Sequence, residues 1–149
     1  MCNTDSMTKM LYSTTSVFTS LAGRVAVAQV SGVVTRSALD RINAGFAGDL
    51  GDSLARVVDY SQAVATINAE TLMTSVRVAG SAALCAMPVA FLARPDQSQL
   101  FEDYCSIARR NGMVRAVFFR PEDARRWAQQ QAAVQAHWQE LRRGLQSNR

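Results

Sequence analysis

The chain has 149 residues, of which 48% are hydrophobic and 19% charged, a balance that suits one globular domain with a core and excludes an intrinsically disordered chain. The formal charge of +4 is uneven: residues 1–104 carry seven basic and nine acidic side chains, residues 105–149 nine and three. The basic character therefore belongs to the C-terminal third.

Residues 1–9 are polar and read as a flexible N-terminus without the charged-then-apolar layout of a signal peptide. Met10–Thr19, "MLYSTTSVFT", is rich in β-branched and aromatic residues and predicts a strand. "SLAG" supplies a turn, and "RVAVAQVSG" from Arg24 a second strand, together an N-terminal β-hairpin. Leu39, Ile42 and Phe46 are spaced three and four apart, which predicts a short amphipathic helix over 37–50, weakened at its end by Gly45, Gly48 and Gly51.

"ARVVDYS" from Ala55 predicts a third strand, followed by a loop and a helix capped by Asn68, with Glu70 in the first turn and Leu72, Met73 and Val76 on its apolar face. "CAMPVAFLA" from Cys85 reads as a strand buried on both sides. Asp96 or Ser98 caps the next helix, which ends at Asn111-Gly112. "MVRAVFF" is the last strand, and Pro121-Glu122-Asp123 opens the last helix. Strands alternating with helices predict a mixed, mostly parallel α/β sheet of about five strands flanked by helices.

This order resembles a STAS domain, more narrowly the SpoIIAA-like (anti-anti-sigma-factor-like) small bacterial proteins, with a distant likeness to lipid-binding CRAL-TRIO domains. "RVVDYSQAVATINAE" is similar to the strand-Asp-loop-helix corner of such domains, and "VFFRPEDARRWA" to their closing strand, turn and helix. The resemblance implies a STAS-like domain over residues 10–130, leaving 131–149 as a C-terminal helical extension. It implies a non-catalytic regulatory module whose partner is another protein, met at the corner of Asp59, Tyr60, Ser61, Asn68, Ala69 and Glu70. Phosphorylatable STAS domains carry Asp-Ser-Ser-Gly before this helix; Asn68-Ala69-Glu70-Thr71 stands here, so the position of the switch serine is Ala69.

Ser61 reads as a turn serine bonded to nearby backbone, in preference to a phosphate acceptor. Asp59 is either a functional group at a strand end or a tie for the loop, and Glu70 either a fixed charge standing in for a phosphoserine or a first-turn dipole partner. The likeness to CRAL-TRIO domains implies a rival function, a binder of a small apolar ligand or lipid, with a pocket drawn from Met73, Val76, Leu84, Met87, Phe101 and Tyr104.

An unrecognised enzyme is the third reading. His137 is the single histidine, Cys85 and Cys105 read as buried, and no phosphate loop, HExxH or nucleophile elbow is present. No catalytic residue, metal site or cofactor is therefore expected. Nucleic acid is not expected as a partner either, because no Lys or Arg falls between Trp127 and Leu141, a gap of roughly 20 Å along a helix. The three cysteines, Cys2, Cys85 and Cys105, follow no disulfide or metal spacing, which suits a reducing cytoplasm. The longest uncharged run, Val78–Ala93, is shorter than the roughly 20 residues of a membrane span, so no integral membrane segment is expected. In the extension, Val134, Trp138, Leu141 and Leu145 lie four, three and four apart on one apolar face. That face predicts either a fold back onto the domain or a homodimer through paired helices, with the homodimer preferred.

Overall fold

A computed structural model describes residues 8–12, 15–22, 24–48, 51–80 and 82–148, with side chains from residue 24 onward. Six strands form one sheet in the order of the chain, β1 (Thr8–Tyr12), β2 (Thr15–Ala22), β3 (Val25–Val34), β4 (Ala55–Ala65), β5 (Val89–Leu92) and β6 (Arg115–Phe118). The first three pair antiparallel and β3 to β6 pair parallel. The mixed, mostly parallel sheet is as expected, with six strands in place of five. The run 10–19 divides between two paired strands, with Tyr12 opposite Thr15. Strand β1 begins at Thr8 and β2 continues through Ala22, so most of "SLAG" is strand. Residues 1–7 of the expected flexible N-terminus lie outside the described residues.

Helices α1 (Arg36–Gly48), α2 (Ala69–Val78), α3 (Ala82–Ala86) and α4 (Ser98–Arg110) cover one face of the sheet, and α5 (Pro121–Ser147) crosses the other. This division follows from the strand order. Each of β3 to β6 lies beside its predecessor, so crossovers of one hand all fall on the same side. The larger core lies there, where Leu39, Ile42 and Phe46 of α1 and Leu72, Met73 and Val76 of α2 meet β3, β4 and β5. The smaller core is an alanine stripe: Ala124, Ala128 and Ala132, spaced four apart on α5, bring that helix onto Val25, Val57 and Ala90. Small side chains permit close approach, and Trp127 seals the margin against Phe118 at 5.8 Å between rings.

Two further boundaries move. The apolar run from Cys85 is not one strand, because Ala82–Ala86 forms α3 and only Val89–Leu92 is paired. Alanine at three of five positions of α3 favours the helix, and Pro88 supplies no N–H for a ladder. Helix α4 starts without the side-chain cap expected from Asp96 or Ser98. A 3-10 turn over Pro95–Gln97 precedes it, in which Gln97 Oε1 accepts from Arg94 N–H at 2.9 Å. Asp96 pairs with Arg94 at 3.0 Å instead, and that hydrogen bond holds its carboxyl below the usual range. Gly112, with φ of +76°, ends α4 where the sequence places a stop.

Alkali should weaken the fold. Burial pushes the Cys105 thiol from 9.0 up to about 11 and raises the Tyr60 and Tyr104 phenols, with the neighbouring Tyr104 also raising Tyr60. Between pH 9 and 11 the unfolded chain gives up a thiol proton that the fold retains. Stability is thus fully present below pH 9 and falls by up to about 3 kcal/mol as pH rises through that window. The tyrosines extend the loss upward. Urea midpoints at about pH 8 and about pH 11 check this; equal midpoints would contradict it.

Candidate functional site

Strand β4 does not end at Ser61. It runs on to Ala65, with Gln62 to Ala65 paired to Ser31 to Val34, and the loop to α2 is only Thr66–Asn68. Between Gln29↔Asp59 and Ser31↔Gln62 the register slips by one residue, placing an extra residue in β4. The Asp59 carboxylate accepts the Ser61 N–H at 2.8 Å across this bulge. Of the two roles open to Asp59, the structural tie is the one the geometry displays. Its position is a strand interior, in a sheet whose order β3-β4-β5-β6 never reverses and so has no switch-point crevice. Tyr60 is buried and turned into the main core, with Phe101 at 5.0 Å and Phe91 at 6.1 Å between rings.

The strand β5 pairs only with Arg56–Asp59, which leaves the later carbonyls of β4 without a strand partner on that side. Two side chains from the β5–α4 connection take the place of a strand. Arg94 Nη1 donates to the carbonyls of Ser61 at 2.6 Å and Ala63 at 3.0 Å, and Gln97 Nε2 to those of Tyr60 at 3.1 Å and Ala63 at 2.9 Å. Sequence reasoning missed this clamp. Its signal, a long strand followed by a short one, was hidden because both lengths were misjudged.

The corner residues therefore separate. Asp59, Tyr60 and Ser61 hold the bulge, while Asn68, Ala69 and Glu70 open α2. Asn68 is the expected cap, its Oδ1 accepting from Thr71 N–H at 2.9 Å and Thr71 Oγ1 at 2.8 Å. Ala69 is buried, and Glu70 projects into solvent. With the exposed face of α4, chiefly Leu100, Asp103 and Ile107, these three residues line an open groove of about 370 Å³. Gln99 donates to Asp103 at 2.8 Å, Leu100 and Ile107 are half-buried and supply an apolar floor, and Arg110 is exposed in the same lining. The groove offers two carboxylates, an apolar floor and one cation.

The six residues of the expected apolar pocket also divide. Val76, Leu84 and Tyr104 line a cavity of about 30 Å³, while Met73, Met87 and Phe101 are buried outside its lining. By the volume one water needs, this space holds about two waters and no acyl chain. Among the described residues, no group of His, Cys, Asp or Glu is arranged to hold a metal, and no helix is long and apolar enough to cross a membrane.

Helix α5 passes residue 130, the expected limit of the domain, without a break. Its first half folds back through the alanine stripe. Val134, Trp138, Leu141 and Leu145 lie beyond that contact and are exposed, Trp138 by 52% and Leu145 by 71%. Arg24, next to the start of β3, donates to Gln139 Oε1 of this half at 3.4 Å.

This arrangement of sheet, one-sided helices and covering C-terminal helix defines a STAS-like fold. A crystal structure of an anti-sigma factor antagonist from Mycobacterium paratuberculosis is similar to this chain with a TM-score of 0.50 and 14% identity, over 87% of this chain and 99% of that one. No protein-family model and no curated protein matches the sequence.

Proposed function

We infer that the protein is a non-catalytic regulatory module that binds another protein through the groove between the start of α2 and the outer face of α4, and that it carries no serine phospho-switch. The observation that carries this reading is the groove itself, open and lined by Glu70, Asp103, Leu100 and Ile107. Its apolar floor supplies area and its carboxylates supply selection among partners. Ala69 is buried and has no hydroxyl, so the position of the switch serine offers no phosphate acceptor, and Glu70 beside it is a permanent charge. The likeness to an anti-sigma factor antagonist supports a protein as partner. An apolar ligand finds no support in a 30 Å³ cavity.

Affinity capture from the native host tests this with wild type and with Glu70→Lys/Asp103→Lys. Both substituted side chains are exposed, so the variant should keep its fold and lose the captured protein by 10-fold or more, in line with charge reversal at an interface costing on the order of 1.4 kcal/mol or more. Equal capture by both would remove the groove as the binding surface.

The protein is also proposed to be a cytoplasmic homodimer through the outer half of α5. The four-residue stripe from Val134 to Leu145 is apolar, exposed and collinear, the arrangement two antiparallel or parallel copies bury together. Trp138→Glu/Leu141→Glu leaves the alanine stripe intact and should sediment at half the wild-type mass; identical masses would exclude this interface.

A further inference from the structure

The exposed stripe on the outer half of α5 carries a direction as well as a face. Val134, Trp138, Leu141 and Leu145 take the alternating d and a positions of a heptad. Gln135 and Arg142 then stand at e, and His137 and Gly144 at g. Trp127, seven residues before Val134 on the same line, is turned onto Phe118 of its own domain, with 5.8 Å between the rings. The seam is therefore closed at its inner end and open towards the C-terminal end of the helix.

Two copies can lie along this seam in two directions. In the parallel one, each g residue meets the e residue five places on in the other helix. That sets His137 against Arg142 of the second copy, twice by symmetry. It also brings both Phe118–Trp127 margins, and the domains behind them, to the same end of the seam. In the antiparallel direction Trp138 layers with Leu141 of the second copy and Val134 with Leu145, so the whole stripe stays inside. Residues at g then face one another, and His137 meets Gly144, where a Cβ would have nothing within 4 Å. Glu140 lies one turn before Gly144 on the same side, so its carboxylate comes to the imidazole of the other copy through that space. Arg142 faces the neutral Gln135, and the last helical residue, Ser147, falls opposite Ala132, short of Trp127. Charge and space both select the antiparallel direction.

We propose that a second copy of this chain covers the stripe antiparallel, through Trp138–Leu141 and Val134–Leu145 layers and two His137–Glu140 contacts, with the two domains at opposite ends of the helix pair. The proposal deepens the homodimer reading above and rests on it. The groove on α2 and α4 lies across the sheet from α5, so pairing leaves it uncovered on both domains. The dimer then carries two open grooves, one at each end.

Cysteine pairing across the seam tests it, in the full chain carrying Cys2→Ser and Cys85→Ser; Cys105 is buried and stays. Val134→Cys and Leu145→Cys variants are mixed under reducing conditions and then oxidised gently. Antiparallel pairing sets residue 134 beside residue 145 and leaves like positions about 16 Å apart along the axis, beyond the roughly 7 Å that a disulfide spans. The mixture should therefore give a covalent heterodimer in about 10-fold or greater excess over either homodimer. Covalent homodimers from either variant alone would overturn the antiparallel direction and leave the homodimer standing. A dimer by sedimentation in which no cross-link forms would also overturn it. Wild type that sediments as a monomer would remove both the direction and the homodimer.

Discussion

Replacing Gln97 by leucine should lower stability by about 3–5 kcal/mol, although the substitution conserves volume and adds apolar surface. Gln97 is 7% exposed and makes three hydrogen bonds to backbone, two donated to the carbonyls of Tyr60 and Ala63 and one accepted from Arg94 N–H. Leucine takes a partner from all three groups, and each buried polar group left without one costs about 1–3 kcal/mol. Ala63 retains its bond from Arg94, which keeps the sum near the lower half of that range. A denaturant titration that finds Gln97→Leu within 1 kcal/mol of wild type would show that the overhanging end of β4 does not depend on the clamp.

The second large effect is expected at Phe101. Its side chain is fully buried, 5.0 Å from the Tyr60 ring and 5.3 Å from the Phe91 ring, in a cluster that Tyr104 completes edge-on to Phe91 at 5.3 Å. Phe101→Ala removes those ring contacts and leaves a cavity in the centre of the helix-covered face, at a cost of about 3–5 kcal/mol. The same substitution separates a packed core from a ligand pocket. A core position loses stability in the isolated protein, whereas a pocket wall would tolerate truncation. Chemical unfolding of the variant distinguishes the two, and a cost below 1 kcal/mol would return Phe101 to a pocket.

These positions show what was legible in the sequence and what was not. The amphipathic faces of α1, α2 and α4 were readable because Leu39, Ile42, Phe46, Leu72, Val76, Phe101 and Tyr104 repeat at helical spacing and no other element competes for them. The cap at Asn68 and the stop at Gly112 were readable because their chemistry is local. The extent of β4 was not. "QAVA" after Ser61 carries no hairpin or helix signal, and its pairing to Ser31–Val34 is a contact across 30 residues of sequence. The bulge at Asp59 has the same origin, since a slipped register is invisible in one strand alone.

The two buried arginines, Arg56 and Arg115, are a different case. "ARVVDY" and "VRAVFF" each place one cation in an apolar strand, at positions the sheet brings into a single rung. Period-two alternation puts each on the same side as its apolar neighbours two residues on, Val58 and Val117, which face the helices. That pattern was available without the structure.

The corner on which the functional reading rests was half legible. Asn68, Ala69 and Glu70 form one edge of the groove as a consequence of where α2 begins. The opposite edge comes from α4, where Gln99, Asp103, Ser106 and Arg110 recur at three- and four-residue intervals on the polar side of an amphipathic helix. Such a stripe is indistinguishable in sequence from ordinary solvated surface, and only the packing of α2 beside α4 gives it a partner.

Hydrogen exchange of the full chain, free and bound to the protein captured from its host, tests this account most directly. Binding in the groove predicts slowed exchange at the start of α2, over residues 68–72, and along α4, over residues 99–110, with the bulge of β4 unchanged. Protection confined to the outer half of α5, or absent from both α2 and α4, would contradict it.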